Sequence, residues 1–232
     1  MKLSKYLTII FLASILVACG AGGGNPGSSS RSATTNNGQT ITFTAGPGVA
    51  ASIAIATGDK IDNSDPIFYA ERFAATVATS NGLPVTGATI SLSVQYPGFY
   101  KGRFTRDGTN KVTGYTEHFC AGEDKNNNDV LDSGEDLNGN GVLDPAKALV
   151  TATIEGSNVT DANGNIRILV RYPKRHATWV DYRLIANVKV VGSEGNASFL
   201  LRTNYAAGDD ETVSTPFLRS PYGVGTDCTN TN

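Results

Sequence analysis

Residues 88–94 read ATISLSV and residues 165–171 read NIRILVR, two stretches in which apolar and polar side chains largely alternate with a period of two. Successive side chains of a strand point to opposite faces, so this pattern puts one face of each segment in a core and leaves the other in water. The rest of the chain repeats the same grammar. Short runs rich in Val, Ile, Thr, Phe and Tyr, bounded by Gly, Pro, Asn and Asp, occur at 41–45, 51–57, 70–79, 88–95, 102–106, 148–155, 165–172, 181–191 and 197–205. No window holds a sustained helical period and no linker-like stretch divides residues 40–206, so the reading is one all-β domain, a sandwich of two sheets.

Composition narrows the class. A formal net charge of -2 over 232 residues gives no basic field for nucleic acid and no acidic excess of the kind found in disordered tails. Charged residues are only 17%, Gly occurs 26 times and Met once, a mixture typical of exported β-rich proteins.

The N-terminal residues give an address. Lys2 and Lys5 precede the apolar stretch 6–17, which closes as Leu16-Val17-Ala18-Cys19-Gly20. The charge, the apolar run and the small-residue exit are those of an export signal, and the run is shorter than the roughly 20 residues a spanning helix needs. The pentad resembles the bacterial lipobox. That resemblance implies a signal peptide over 1–18, lipid on Cys19 and a membrane anchor through that lipid. Gly20, in place of a retention-type Asp, resembles outer-membrane sorting. Residues 19–39, including GAGGGNPGSSSRSATTNNGQ, have almost nothing apolar to bury and are expected to form a flexible tether averaging about 25 Å end to end. With Cys19 lipidated, Cys120 and Cys228 remain in an oxidising compartment, where a disulfide between them is expected to tie down a C-terminal tail at 207–232.

Two turns sharpen the fold. SNGLPVTGATI at 80–90 and VTDANGN at 159–165 resemble the signatures of group 1 bacterial immunoglobulin-like (Big-1) domains. The Asn-Gly pairs supply positive φ in tight turns, and Pro84 fixes a turn before a strand. The resemblance covers roughly residues 50–200 and implies an immunoglobulin-like β-sandwich over 40–206 that acts as a spacer or adhesive module without catalysis. The chain departs from the family in the long passage 96–158 between the two signatures.

That passage carries the strongest chemical signal, EDKNNNDVLDSG followed at once by EDLNGNGVLDPA at 123–146. Carboxylate and amide oxygens recur on alternate residues, as a hard cation needs when one loop must wrap it. In the first unit Asp124, Asn126, Asn128, the Val130 carbonyl, Asp132 and Glu135 fill positions 1, 3, 5, 7, 9 and 12 of an EF-hand-type loop, with Asp129 at the turn position usually held by Gly. In the second, Asp136, Asn138, Asn140, the Val142 carbonyl and Asp144 repeat the set, with Gly141 at the turn, but Lys147 stands at position 12. Glu135, Glu123 or water are the candidates to complete it. The non-helical flanks resemble the calcium loops of dockerins and thrombospondin type 3 repeats. The expectation is a structural Ca2+ insert at 120–147, with Val130, Leu131, Val142 and Leu143 available to pack the units together or onto the sandwich.

His118 and His176 lack the ligand spacing of a zinc site. Trp179 reads as core. No nucleophile with a base, nucleotide loop or catalytic carboxylate pair stands out, so the expected role is non-enzymatic: structural, adhesive or envelope-assembling, with an envelope protein or glycan as partner. The alternative is a carbohydrate- or peptide-binding module that uses aromatics near Tyr96, Phe99, Tyr100 and Trp179 or an exposed sheet edge.

Overall fold

The computed structural model describes residues 29–34, 40–45, 51–57, 60–79, 81–109, 111–190, 193–209 and 216–232. The expected signal peptide and Cys19 lie outside the described residues. Among the described residues ten strands run in chain order: β1 (Ser29–Thr34), β2 (Thr40–Ala45), β3 (Ala51–Thr57), β4 (Phe68–Thr79), β5 (Thr89–Arg106), β6 (Val112–Ala121), β7 (Thr151–Glu155), β8 (Asn165–Pro173), β9 (Val180–Val190) and β10 (Ser193–Arg202). They form two sheets, β1-β2-β10-β9-β5-β6 and β3-β4-β8-β7. Every pairing is antiparallel.

The period of two does its expected work. Ala88, Ile90, Ile166, Ile168 and Val170 are buried, and Thr89, Ser91, Ser93 and Arg167 face solvent. One hydrophobic core joins the sheets, with Phe73 of β4 edge-on to Phe199 of β10 at 6.2 Å between ring centroids. Such rings add about 1 kcal/mol beyond the area they bury.

The structure corrects the sequence reading in four places. Residues 29–34 of the expected tether form β1, paired along β2. Segments 88–95 and 102–106 are one strand, β5, whose pairing with β9 shifts register between Gln95 and Gly98, beside Pro97. Proline has no N–H for a ladder and is tolerated at such an irregularity. Strand β6 was hidden by its composition, since most of its side chains are exposed.

The fourth correction concerns the tail, which enters the core as well as being tied by its cysteine. Strand β9 stops pairing with β5 at Phe99, and the tail takes over that edge: Phe104 N–H donates to Leu218 O, Ser220 N–H to Gly102 O, and Gly102 N–H to Gly223 O. Phe217 is fully buried, stacks on Tyr205 and accepts the Trp179 indole N–H at 2.7 Å through its carbonyl. Lys101, only 1% exposed, donates from Nζ to the carbonyls of Asp227 (2.7 Å) and Asn230 (2.8 Å). Cys120 and Cys228 form the expected disulfide.

The two signature turns interlock. Thr160 Oγ1 accepts from Ala88 N–H and donates to Val85 O, while Val77 N–H donates to Gly164 O. Gly164 has φ 74° and lies so close that a Cβ there would sit 2.4 Å from Val77 O, so only glycine fits.

Two titratable groups, Glu71 half-buried and His176 buried, set a pH dependence. Glu71 lies on the inward-facing side of β4, and burial pushes its carboxyl up to about 7. As pH rises from 4.5 to 7 the unfolded chain releases a proton that the folded chain still holds, so stability falls by about 2 kcal/mol. His176 works oppositely: burial, with Arg175 adding to it, holds it near 4, so stability falls as pH drops below 6.5. Thermal melts are expected to show Glu71→Gln gaining on the native chain at about pH 8 compared with about pH 4, and an equal difference at both would refute the assignment.

Candidate metal centre

The acidic tandem links β6 to β7 and so passes from one sheet to the other. It starts from a fixed point. Gly122 N–H donates to Pro97 O at 3.0 Å, and a Cβ on Gly122 would lie 2.1 Å from Tyr96 O, which excludes any side chain there. At the far end, the Tyr96 hydroxyl accepts from Val150 N–H at 2.8 Å.

Each loop is wound around its own first aspartate. Asp124 accepts from the N–H groups of Asn128 (3.1 Å) and Asp129 (2.9 Å), and Asp136 accepts from those of Asn140 (3.0 Å) and Gly141 (2.9 Å). The side-chain oxygens of Asn126 and Asn128, and of Asn138 and Asn140, accept from backbone N–H groups two residues on. The amides of Asn126 and Asn128 converge on Asp132 Oδ2, and those of Asn138 and Asn140 on Asp144 Oδ2, at 2.7–2.8 Å. The turn positions match too, Asp129 at φ 61° and Gly141 at φ 79°.

One closing carboxylate comes from within its loop and the other from outside it. Glu135 accepts from Lys125 N–H and Asp132 N–H, each at 3.0 Å, and thereby closes the first loop. Glu123, which precedes the first loop, accepts from Leu137 N–H (3.0 Å) and Asp144 N–H (2.9 Å) of the second. Glu123 thus stands to the second loop as Glu135 stands to the first, at the place that Lys147 leaves without a carboxylate. Lys147 turns away to pair with Asp129 at 3.4 Å. The sequence named Glu123 as one of three candidates, and only the fold selects it.

Glu123, Glu135 and Asp144 are buried at 1%, 5% and 8% exposure. Among the described residues no Lys, Arg or His forms an ion pair with any of them. Burial pushes the Glu123 carboxyl up against the lowering effect of the Asp144 and Leu137 N–H groups, and burial likewise raises Asp144. Burying an unpaired carboxylate is costly, and the cost is removed by a proton or a cation. Of the apolar residues expected to pack the insert, only Leu143 is buried; Val130, Leu131 and Val142 are exposed.

The aromatics of the alternative reading do not form a surface platform. Trp179, Phe99 and Tyr100 are buried at 1%, 2% and 9% exposure, and the Tyr96 hydroxyl is committed to Val150. His118 lies beside the disulfide, with donor atoms of His118, Cys120 and Cys228 within 4.8 Å of one another, but both sulfurs are spent in the S–S bond. No family model matches this chain, and neither a curated protein nor a solved structure matches it.

Proposed function

We propose that this chain is a non-enzymatic, calcium-stabilised lipoprotein of the bacterial outer membrane, with a structural, adhesive or envelope-assembly role and an envelope protein or glycan as partner. Its folded part is read as a Big-1-like immunoglobulin-like sandwich carrying two calcium loops. The closing pair Glu123 and Glu135, buried and, among the described residues, without ion-pair partners, carries the ion assignment. The donor set is all oxygen, which suits a hard divalent cation: Asp124, Asn126, Asn128, the Val130 carbonyl, Asp132 and Glu135 in one loop, and Asp136, Asn138, Asn140, the Val142 carbonyl and Asp144 in the other, now with Glu123. Bound calcium would supply the positive charge that the buried carboxylates lack. The interlocked turns at 80–90 and 159–165 support the immunoglobulin-like reading, and the lipobox-like pentad supports the anchor.

A calcium titration followed by calorimetry and by melting tests this reading. Two equivalents are expected to bind with Kd of about 10⁻⁴ to 10⁻³ M, the range of extracellular modules. At a calcium concentration about 100 times Kd each site contributes about 2.7 kcal/mol. In a chain of this size that raises Tm by roughly 5–10 °C per site, reversed by chelator. Flat heats with an unchanged Tm would overturn it.

A further inference from the structure

The first loop does more than cover its own carboxylates. It walls one end of an open, mostly polar cleft of about 690 Å3 on the outer face of the six-stranded sheet. The floor of the cleft is set by register. Cross-strand pairing aligns Gln95 with Arg183, Ser93 with Ile185 and Ser198, and Ser91 with Asn187 and Asn196, in three adjacent rows over β5, β9 and β10. Neighbouring strands lie about 4.8 Å apart, so amides and hydroxyls are presented as a regular lattice. Asp124, Lys125 and Asn127 of the first loop stand at one end. Beyond Asn187 and Asn196 the groove continues into a second cleft of about 420 Å3. Its shape fits an extended ligand.

The electrostatics name the ligand's charge. Arg183 is half-buried in the floor and has no ion-pair partner among the described residues. Lys125, whose Nζ donates to Gly134 O at 3.1 Å, adds a second positive charge at the wall, while the Asp124 carboxylate is committed to the N–H groups of Asn128 and Asp129. A planar guanidinium among amide and hydroxyl groups matches a carboxylate on a polyhydroxylated chain. We infer that this cleft binds an acidic oligosaccharide, its carboxylates on Arg183 and its hydroxyls on the Asn, Gln and Ser rows. The inference rests on the glycan-partner reading proposed above, not on the ion, and it replaces aromatic stacking with polar recognition.

The test uses the full chain in detergent with a uronate hexasaccharide, and a neutral hexose hexasaccharide as control, at millimolar calcium. The uronate is expected to bind at least tenfold more tightly than the neutral sugar. Arg183→Ala should cost at least tenfold, Arg183→Lys less, and the surface change Asn187→Ala about threefold, with folding checked by circular dichroism. Because the uronate itself can hold calcium, the Arg183 variants in the same buffer separate cleft binding from bridging by the ion. No uronate binding, equal binding of the neutral sugar, or unchanged affinity in Arg183→Ala would overturn the inference. A parallel calcium titration separates the two claims. Calcium heats without uronate binding sink the cleft alone, whereas Arg183-dependent uronate binding with flat calcium heats sinks the calcium reading and leaves the cleft standing.

Discussion

Replacing Cys120 and Cys228 together with alanine is expected to lower the stability of the chain by about 4 kcal/mol, which for a domain of this size is roughly 8–16 °C in Tm. The bond spans 108 residues, so its loss frees a long loop in the unfolded ensemble, where most of the effect lies. The native tail keeps other holds. Phe217 stays buried with its carbonyl on the Trp179 indole, and Lys101 still donates to Asp227 and Asn230. The double variant should therefore fold to the same secondary structure and melt earlier in a cooperative transition. Lys101→Met provides the contrast: it removes the charge-assisted bonds that the buried ammonium makes to the Asp227 and Asn230 carbonyls, each contributing about 1.5–3 kcal/mol, and should release the tail to protease while the disulfide stays closed. A Tm in the double variant within about 2 °C of the native value would show that the tail contacts alone set the stability.

Glu123→Gln is expected to reduce the calcium stoichiometry from two to one, with the second loop losing about 3 kcal/mol, or roughly 100-fold, in affinity. A neutral amide cannot supply the carboxylate charge, and it accepts from only one of the two N–H groups, Leu137 or Asp144, that Glu123 now serves. Glu135→Gln should silence the first loop by the same margin and leave the second occupied, so the two variants are distinguishable by which loop responds. Without calcium the order reverses, because the amide escapes most of the cost of burying an unpaired carboxylate, and Glu123→Gln should melt no lower than the native chain under chelator. Lys147→Glu tests this closure directly: with Glu123 already closing the second loop, a carboxylate at 147 should leave the stoichiometry at two. Isothermal titration that still finds two sites in Glu123→Gln would remove Glu123 from the second loop.

Much of this was legible in the sequence because it is local. Eight of the ten strands were marked by period-two runs and turn residues, and the first-loop set from Asp124 to Glu135 could be read from spacing alone. Strand β1 was missed because Ser29–Thr34 has the composition of a linker, and its place is decided by the partner β2. Strand β6 was missed because an edge strand with few buried side chains carries little pattern. Trp179 is core as its place in the pattern suggested, but Phe99 and Tyr100 were open to a ligand role because sequence gives hydrophobicity without direction; Phe99 packs on Tyr222 of the tail, and Tyr100 on Phe119 and the Arg202 guanidinium.

The sequence by itself determined what depends on neighbours along the chain: which segments are strands, which turns need glycine, and that the tandem gathers oxygen ligands at calcium-loop spacing. Tertiary structure decided which distant groups share those sites. Lys101 finds its acceptors 126 and 129 residues away. Glu123 reaches across 21 residues to Asp144 N–H and takes the place that Lys147 leaves open. Arg183 shares a cleft with Asp124, Lys125 and Asn127 only because β9 lies beside β5. The reason is physical: spacing along a chain fixes local geometry, whereas the partner of a buried charge is fixed by which surfaces the folded core brings into contact.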